Sequence, residues 1–195
     1  MSALVIYAHP WTGSYNHAIL EAVESGFKKS GTSYEVIDLN AEGFNPVMTG
    51  PELAVYNKGM SKDPKIAEYQ KKFEAATSLV VIHPTWWCGI PAILKGFFDK
   101  ILLKGWAYDP GPMGTLKGRL GYIKNAVVIT TMNAPGWYYR FFMGNVVRHE
   151  LVNGCIKTCG IKNVKWIKLS AVISVKRETR EKWLKKISDV ASKLS

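Results

Sequence analysis

Three short stretches of the chain hold side chains whose types suit chemistry better than packing. The first, His9-Pro10-Trp11-Thr12-Gly13-Ser14-Tyr15-Asn16, sets two hydroxyls, an imidazole and an amide around a glycine. Thr12 and Ser14, with His9 and Asn16 as side-chain donors, are groups that bind phosphate. His9 has two readings, contact with that phosphate or a bond that holds its own loop. The second, Thr85-Trp86-Trp87-Cys88-Gly89, offers aromatic faces and backbone donors, and Gly89 permits a close backbone approach. A flat heteroaromatic ring is a natural guest for such a surface. Adjacent tryptophans cannot both point inward, so one is expected to line the ligand and the other to pack. The third, Thr130-Thr131-Met132-Asn133-Ala134-Pro135-Gly136 with Tyr138 beyond it, adds amides and a phenol. Such groups can stabilise negative charge as it develops on a ring or a substrate; Met132 reads as packing.

Other chemistries find less support. The first loop is neither a Walker A loop nor a G-x-G-x-x-G fingerprint. There is no G-x-S-x-G elbow, and the acidic residues are too scattered to form a catalytic pair. Three cysteines, Cys88, Cys155 and Cys159, are an odd number and argue against a disulfide framework. Cys155 and Cys159 with His149 lack a fourth metal ligand, so buried thiols and no metal are expected. The charge is +11, from 26 Lys and Arg against 15 Asp and Glu. Much of it lies in Lys157 to Lys186, where it reads as solvated faces or as a field that steers an anionic ligand. Nucleic acid is not the expected partner, because the aromatics cluster in the three loops and not among the lysines. No apolar run reaches the ~18 residues of a membrane helix. The N-terminal run is too short for a signal peptide. A cytoplasmic protein without membrane insertion is expected.

The elements that must position these loops follow from hydrophobic patterning. Ala3 to Ala8 is an apolar run that reads as a strand buried on both faces. Ser14 stands at the N-cap of a helix carrying Ile19, Ala22, Val23, Gly26 and Phe27, closed by Lys28, Lys29 and Gly31. A strand that feeds a polar loop into a helix N-terminus is a natural anion site. Further strands are expected at Tyr34–Leu39, Leu79–Ile82, Ala126–Thr131 and Val164–Leu169. Irregular chain from Asn40 to Pro51 should tuck Phe44 and Val47 onto the core. Short helices near Glu52–Lys58 and from Asp63-Pro64 follow. The helix starting at Pro91 has an unbroken apolar stripe from Ile90 to Leu102. Lys104 to Arg119 is a long connection, a helical region runs to about Cys159, and a last helix buries Trp183, Leu184, Ile187, Val190, Ala191 and Leu194. Strands alternating with helices predict a single α/β domain over 1–195, a doubly wound three-layer sandwich with a five-stranded parallel sheet. Order 2-1-3-4-5 places the ligand at the carboxyl ends of the first, third and fourth strands, the strands that the three chemical loops follow.

Ala8-His-Pro through Ser14-Tyr-Asn16, Pro84-Thr-Trp-Trp-Cys-Gly-Ile-Pro-Ala-Ile-Leu-Lys-Gly-Phe-Phe-Asp99, Gly105-Trp-Ala-Tyr108 and Thr130-Thr131 occur in that order. Together they resemble the NAD(P)H:quinone oxidoreductase (DT-diaphorase) family of flavodoxin-like flavoproteins. Its bacterial branches include the modulator-of-drug-activity-B type and the ancillary reductases of potassium efflux systems. The resemblance spans essentially the whole chain. It implies a homodimer with a flavin in each of two shared clefts, and ping-pong hydride transfer from NADPH or NADH to a quinone or related electrophile. By position, His9, Ser14, Tyr15 and Asn16, with Thr12, hold the flavin phosphates. Pro84, Thr85, Trp86, Trp87, Cys88, Thr130, Thr131 and Asn133 lie along the isoalloxazine. Tyr138 falls on the active-site tyrosine, and Tyr108 on a tyrosine that reaches the partner's pocket, where Trp106 and Gly136 join it. Gly144 stands where long members have an active-site histidine, Pro110 where they have a second pocket tyrosine, and Met132-Asn133-Ala134-Pro135 replaces their glycine pair. The donors His9 and Asn16 exceed what one phosphate needs, which favours FAD over FMN. The alternative is a redox-sensing regulatory flavoprotein subunit acting on a membrane partner. A one-electron carrier fits the basic charge poorly.

Overall fold

The computed structural model describes residues 2–194. In chain order the elements are β1 (Ser2–Tyr7), α1 (Tyr15–Ser30), β2 (Ser33–Asp38), α2 (Gly50–Tyr56), α3 (Pro64–Ala75), β3 (Ser78–Pro84) and α4 (Ala92–Ile101). A hairpin of β4 (Tyr108–Pro110) and β5 (Leu116–Gly118) comes next, then β6 (Asn125–Thr131), α5 (Gly136–Phe141), a π-helix (Arg148–Lys157), β7 (Val164–Leu169) and α6 (Arg177–Ala191). The central sheet is parallel, in the order β2-β1-β3-β6-β7. That is the expected 2-1-3-4-5 arrangement once the small hairpin is set aside.

Val5, Ile6, Val80, Val81, Val128 and Ile129 are sealed from solvent because helices cover both faces of the sheet. On one face α1 and α6 pack over Val5, Val80 and Val127. Gly26 allows this pair to meet closely, since a Cβ there would lie 2.3 Å from the Ser188 carbonyl oxygen. On the other face α3 and α4 cover Leu4, Val81 and Val128 through the rings of Phe73, Phe97 and Phe98. Lys100 is buried among them. It holds Glu52 at 2.9 Å, Asp63 at 3.0 Å and the Asn45 carbonyl at 3.1 Å, over the Phe44 ring.

Several details differ from the expectation. Phe44 is buried, but Val47 is 60% exposed; the Asn45 side chain accepts the Val47 amide in a tight turn, which leaves no reach back to the core. β7 is an edge strand and only half-buried, with Lys165 and Lys168 facing out, as strands without a second neighbour require. The connection from Lys104 to Arg119 is the β4–β5 hairpin. The helical region ending near Cys159 is two pieces, α5 and the ten-residue π-helix, separated by Gly144 and Asn145 in left-handed conformation. Wide helices of this kind are rare and concentrate at functional sites.

Candidate functional site

A cleft of about 410 Å³ lies at the carboxyl ends of β1, β3 and β6. The first loop contributes His9, Ser14, Tyr15 and Asn16, the second Pro84, Thr85 and Trp86, and the third Thr131 and Asn133. A groove of about 360 Å³ at Asn125, Asn163 and Lys165 sits at the opposite end, where β6 and β7 begin and no candidate loop reaches.

Ser14 is the N-cap of α1. Its backbone is extended, and its Oγ accepts the His17 amide at 3.1 Å. The amides of Tyr15 and Asn16, in the first turn, have no helical carbonyl to reach and face an incoming anion together with the helix dipole. His9 holds its own loop. Its Nδ1 accepts the Trp11 amide at 3.2 Å, which leaves the proton on Nε2, free to donate to a ligand. Burial keeps its pKa below the ordinary imidazole value, so the ring is neutral. Trp11, absent from the predicted set, lies across Gly13; a Cβ on Gly13 would meet the indole at 2.5 Å.

Two side chains of this loop point elsewhere. The Tyr15 hydroxyl donates to the Arg180 carbonyl at 2.8 Å, and burial pushes its pKa to about 12. Asn16, 5% exposed, donates to Thr131 Oγ1 at 3.0 Å, so its amide braces the first loop against the third. Thr85 ties the second loop to the same place, its amide reaching the Thr131 carbonyl at 2.8 Å. Three loops thus converge on one residue. Thr12 is exposed beside the cleft and does not line it.

The second loop is a two-residue turn closed by reciprocal Trp86–Gly89 backbone bonds of 3.1 Å. Its central residues, Trp87 and Cys88, have φ of 49° and 67°. Such turns favour Asn-Gly, because a Cβ is strained in the left-handed region. The expectation that one tryptophan packs inward is therefore corrected. Trp86 is 48% exposed, edge-on to His9, and Trp87 is fully exposed at the tip. Cys88 takes the inward place. Its carbonyl accepts the Tyr139 hydroxyl at 2.7 Å, whose oxygen accepts the Val147 amide at 3.0 Å.

Adjacent residues of a strand face opposite sides, so Thr131 and Thr130 part ways. The Thr130 hydroxyl is buried away from the cleft, where it accepts the Trp166 indole N–H at 3.0 Å and meets His83 Nε2 at 3.1 Å. With His83 Nδ1 2.9 Å from the Pro84 carbonyl, one consistent arrangement satisfies every group: Trp166 donates to Thr130, Thr130 to Nε2, and Nδ1–H to Pro84. Burial lowers the His83 pKa to about 4, which keeps it neutral. Neither His83 nor Tyr139 was identified from sequence. Their only signal is that polar groups at such positions need partners.

Tyr138 is 40% exposed on α5, stacked on Phe142 at 5.5 Å, and lies outside the cleft lining, as does Gly136 at the start of that helix. Trp106 lies outside the lining of the cleft that one chain forms. Its indole N–H donates to Glu74 at 2.8 Å and its ring meets Phe73 edge-on. Tyr108, in the hairpin, is also outside the cleft that one chain forms. Val172 and Ile173 complete the wall from the loop after β7, and two apolar side chains there carried no sequence signal. Among the described residues no cluster of three or more His, Cys, Asp or Glu could hold a metal ion.

The cleft fits a flavin by its donor set. Ser14, His9 Nε2 and first-turn amides suit the phosphate, while Thr85, Trp86 and Asn133 flank space for a flat ring. A doubly wound sheet of this order with these donors at its first helix defines the flavodoxin-like class. Residues 1–191 match a family model described as flavodoxin-like fold, and the chain belongs to that family. A Haemophilus influenzae protein called an NAD(P)H oxidoreductase is 33% identical over 172 residues, 85% of this chain and 82% of its own. Rat NAD(P)H dehydrogenase [quinone] 1 is 31% identical over 82% of this chain, which spans 65% of that longer protein. The crystal structure of an NAD(P)H:quinone oxidoreductase from Methanothermobacter marburgensis superimposes with a TM-score of 0.86 at 26% identity, covering 100% of this chain and 96% of that one.

Proposed function

We propose that the protein is a flavin-dependent NAD(P)H oxidoreductase that reduces quinones or related electrophiles by a ping-pong cycle. The observation that carries this is the convergence of three loops on Thr131. It puts the donors of the α1 N-terminus across one cleft from the exposed edge of Trp86. A bound flavin supplies the hydride chemistry. Ser14, His9 and the first-turn amides hold its phosphate, and Thr12 and Tyr15 shape that loop. Pro84, Thr85 and Trp86 flank the ring, with Thr131 and Asn133 opposite, and Trp87 and Cys88, which lie outside the cleft lining, form the turn that holds Trp86 there. Thr130 acts from behind, through its bonds to Trp166 and His83. Tyr138 is the phenol nearest in sequence to the third loop and would stabilise charge on a bound acceptor.

A second copy completes the reading. Trp87, Trp137, Phe141 and Phe142 are large exposed rings on the second loop and on the helix after the third. Burial of such rings favours a homodimer, in which Trp106, Tyr108 and Gly136 line a shared substrate pocket. Light scattering after size exclusion should give about twice the 21.8 kDa of one chain. No helix among the described residues is long and apolar enough to cross a membrane. The reading includes a cytoplasmic site of action, to be checked by fractionation. FAD over FMN rests on His9 and Asn16 together, and Asn16 is engaged with Thr131, so the flavin released on denaturation should be identified by chromatography.

Purified protein should be yellow, absorbing near ~450 nm, be bleached by NADPH and regain colour with menadione. Protein that takes up neither FAD nor FMN would overturn the cofactor assignment. Flavin-loaded protein that binds NADPH without bleaching would favour the regulatory alternative.

A further inference from the structure

A second cavity, of about 360 Å³, lies against β7 with an unusual lining: Arg140, Asn145, Arg148, Trp166 and Lys168. Three cations surround it. None has an acidic partner within ion-pair distance among the described residues, although other Lys and Arg side chains in the chain find one. All three are exposed; like charges gathered without a counter-charge repel one another, and an anion between them would relieve that repulsion.

The local backbone assembles it on purpose-built geometry. Gly144 and Asn145 are both left-handed, with φ of 68° and 51°, and turn the chain sharply between α5 and the π-helix. That turn brings Arg140 and Arg148 to one cavity although they are eight residues apart. Strand β7 supplies the floor. Trp166 is fixed through its bond to Thr130 at 3.0 Å, and the Lys168 ammonium sits 5.0 Å from its ring centroid. Lys168 pairs in register with Thr130, the residue before the cleft-lining Thr131. The Thr130 side chain faces away from the cleft, so the cavity opens on the other face of the sheet, near its carboxyl edge. Asn145 also lines the cavity, and its Oδ1 is buried without a hydrogen-bond partner.

We propose that this cavity binds the terminal phosphate of the electron donor, the phosphomonoester on the adenosine ribose that distinguishes NADPH from NADH. The inference rests on the oxidoreductase reading above and names which donor that site takes. Two arginines and a lysine suit a dianion, because guanidinium groups meet phosphate oxygens in bidentate pairs while the ammonium adds a point charge. A dinucleotide is long enough to pass over the carboxyl edge of the sheet, its nicotinamide in the cleft and its adenosine phosphate at these cations, and NADH leaves the cations unmatched. The basic charge of the chain, +11 overall, then has a local purpose at this point.

The test uses the full-length, as-purified protein and reads binding by calorimetry, so it does not depend on turnover. NADPH should bind at least ~10-fold more tightly than NADH, and 2′-AMP should bind where adenosine does not, each discrimination being lost in Arg148→Ala/Lys168→Ala. Arg148→Lys should restore part of it, and thermal melts show whether the variants are folded. Equal affinities for NADPH and NADH in the wild-type protein would overturn the proposal. So would variants that melt like wild type and keep the preference. Inorganic phosphate binding more tightly than 2′-AMP would assign the cavity to free phosphate and overturn the nucleotide assignment. A wild-type protein that prefers NADPH yet is never bleached by it would instead count against the oxidoreductase reading and leave this site standing.

Discussion

In the proposed reading one side chain, His9, serves a loop and a ligand at once, since its two ring nitrogens are chemically distinct. Nδ1 is taken by Trp11, so the remaining N–H is aimed by the loop itself. Ser14 has a similar double duty. Ser14→Ala should cost about 1 kcal/mol through the lost cap and should also weaken flavin retention; an equal melt and equal retention would remove it from both roles. Tyr138→Phe should slow turnover while the flavin stays bound, and unchanged kinetics would remove the phenol from the mechanism. His83 carries a pH prediction. Its pKa is about 4 in the folded chain against an ordinary 6.5, so the unfolded chain binds its proton first as pH falls. Its contribution is complete above about pH 6.5 and is lost as pH falls towards 4, up to ~3 kcal/mol in all. Urea unfolding at pH 7.5 and at pH 4.5 should show a smaller drop for His83→Gln than for wild type.

At the scale of elements, two features store opposite tendencies. The Trp87-Cys88 turn holds two β-carbon residues where glycine or asparagine would sit without strain. Replacing them by Asn-Gly should raise stability by about 1–2 kcal/mol and reduce turnover, because the turn that holds Trp86 beside the ring space would relax. A stabilised protein with full activity would mean the strain has no functional purpose. The clamp at Lys100 works in the other direction. Burial pushes the Glu52 pKa up, but hydrogen bonds from Lys100 and from Thr49 outweigh it and hold the carboxyl at about 2. That contribution is present above about pH 4.5 and is lost only as pH falls towards 2, well below the His83 window. Lys100→Met leaves Glu52 buried without its cation and should cost roughly 3–5 kcal/mol. Adding Glu52→Gln should recover part of that loss, measurable as a partial return of the melting temperature.

For the whole molecule, charge and surface rings matter more than any single contact. A chain of +11 should gather anionic dinucleotides through its field, and that capture is screened by salt. Raising ionic strength from ~0.02 to ~0.3 M shortens the screening length several-fold and should raise KM for the dinucleotide while kcat stays nearly constant. A KM insensitive to salt would confine the charge to solubility.

The parallel sheet, its order and the three loops at its carboxyl end were legible in the sequence. Runs such as Ala3–Ala8 and Leu79–Ile82 can be buried only between two helical layers, and the capping residues Ser14 and Gly31 mark their helix by local chemistry. Local pattern does not report where a side chain turns once the chain is closed. Thr130 and Thr131 look equivalent in sequence, but strand alternation sends one to the cleft and the other to His83 and Trp166. Asn16 looks like a ligand donor until Thr131, 115 residues away, claims its amide. Lys168 lies in the Lys157–Lys186 stretch that reads as solvated faces, Arg140 and Arg148 carry no signal of their own, and only a left-handed turn and a neighbouring strand bring the three around one cavity. Periodicity and capping are properties of near neighbours along the chain. Which donors remain free for a ligand depends on contacts between distant residues, and those exist only in the folded molecule.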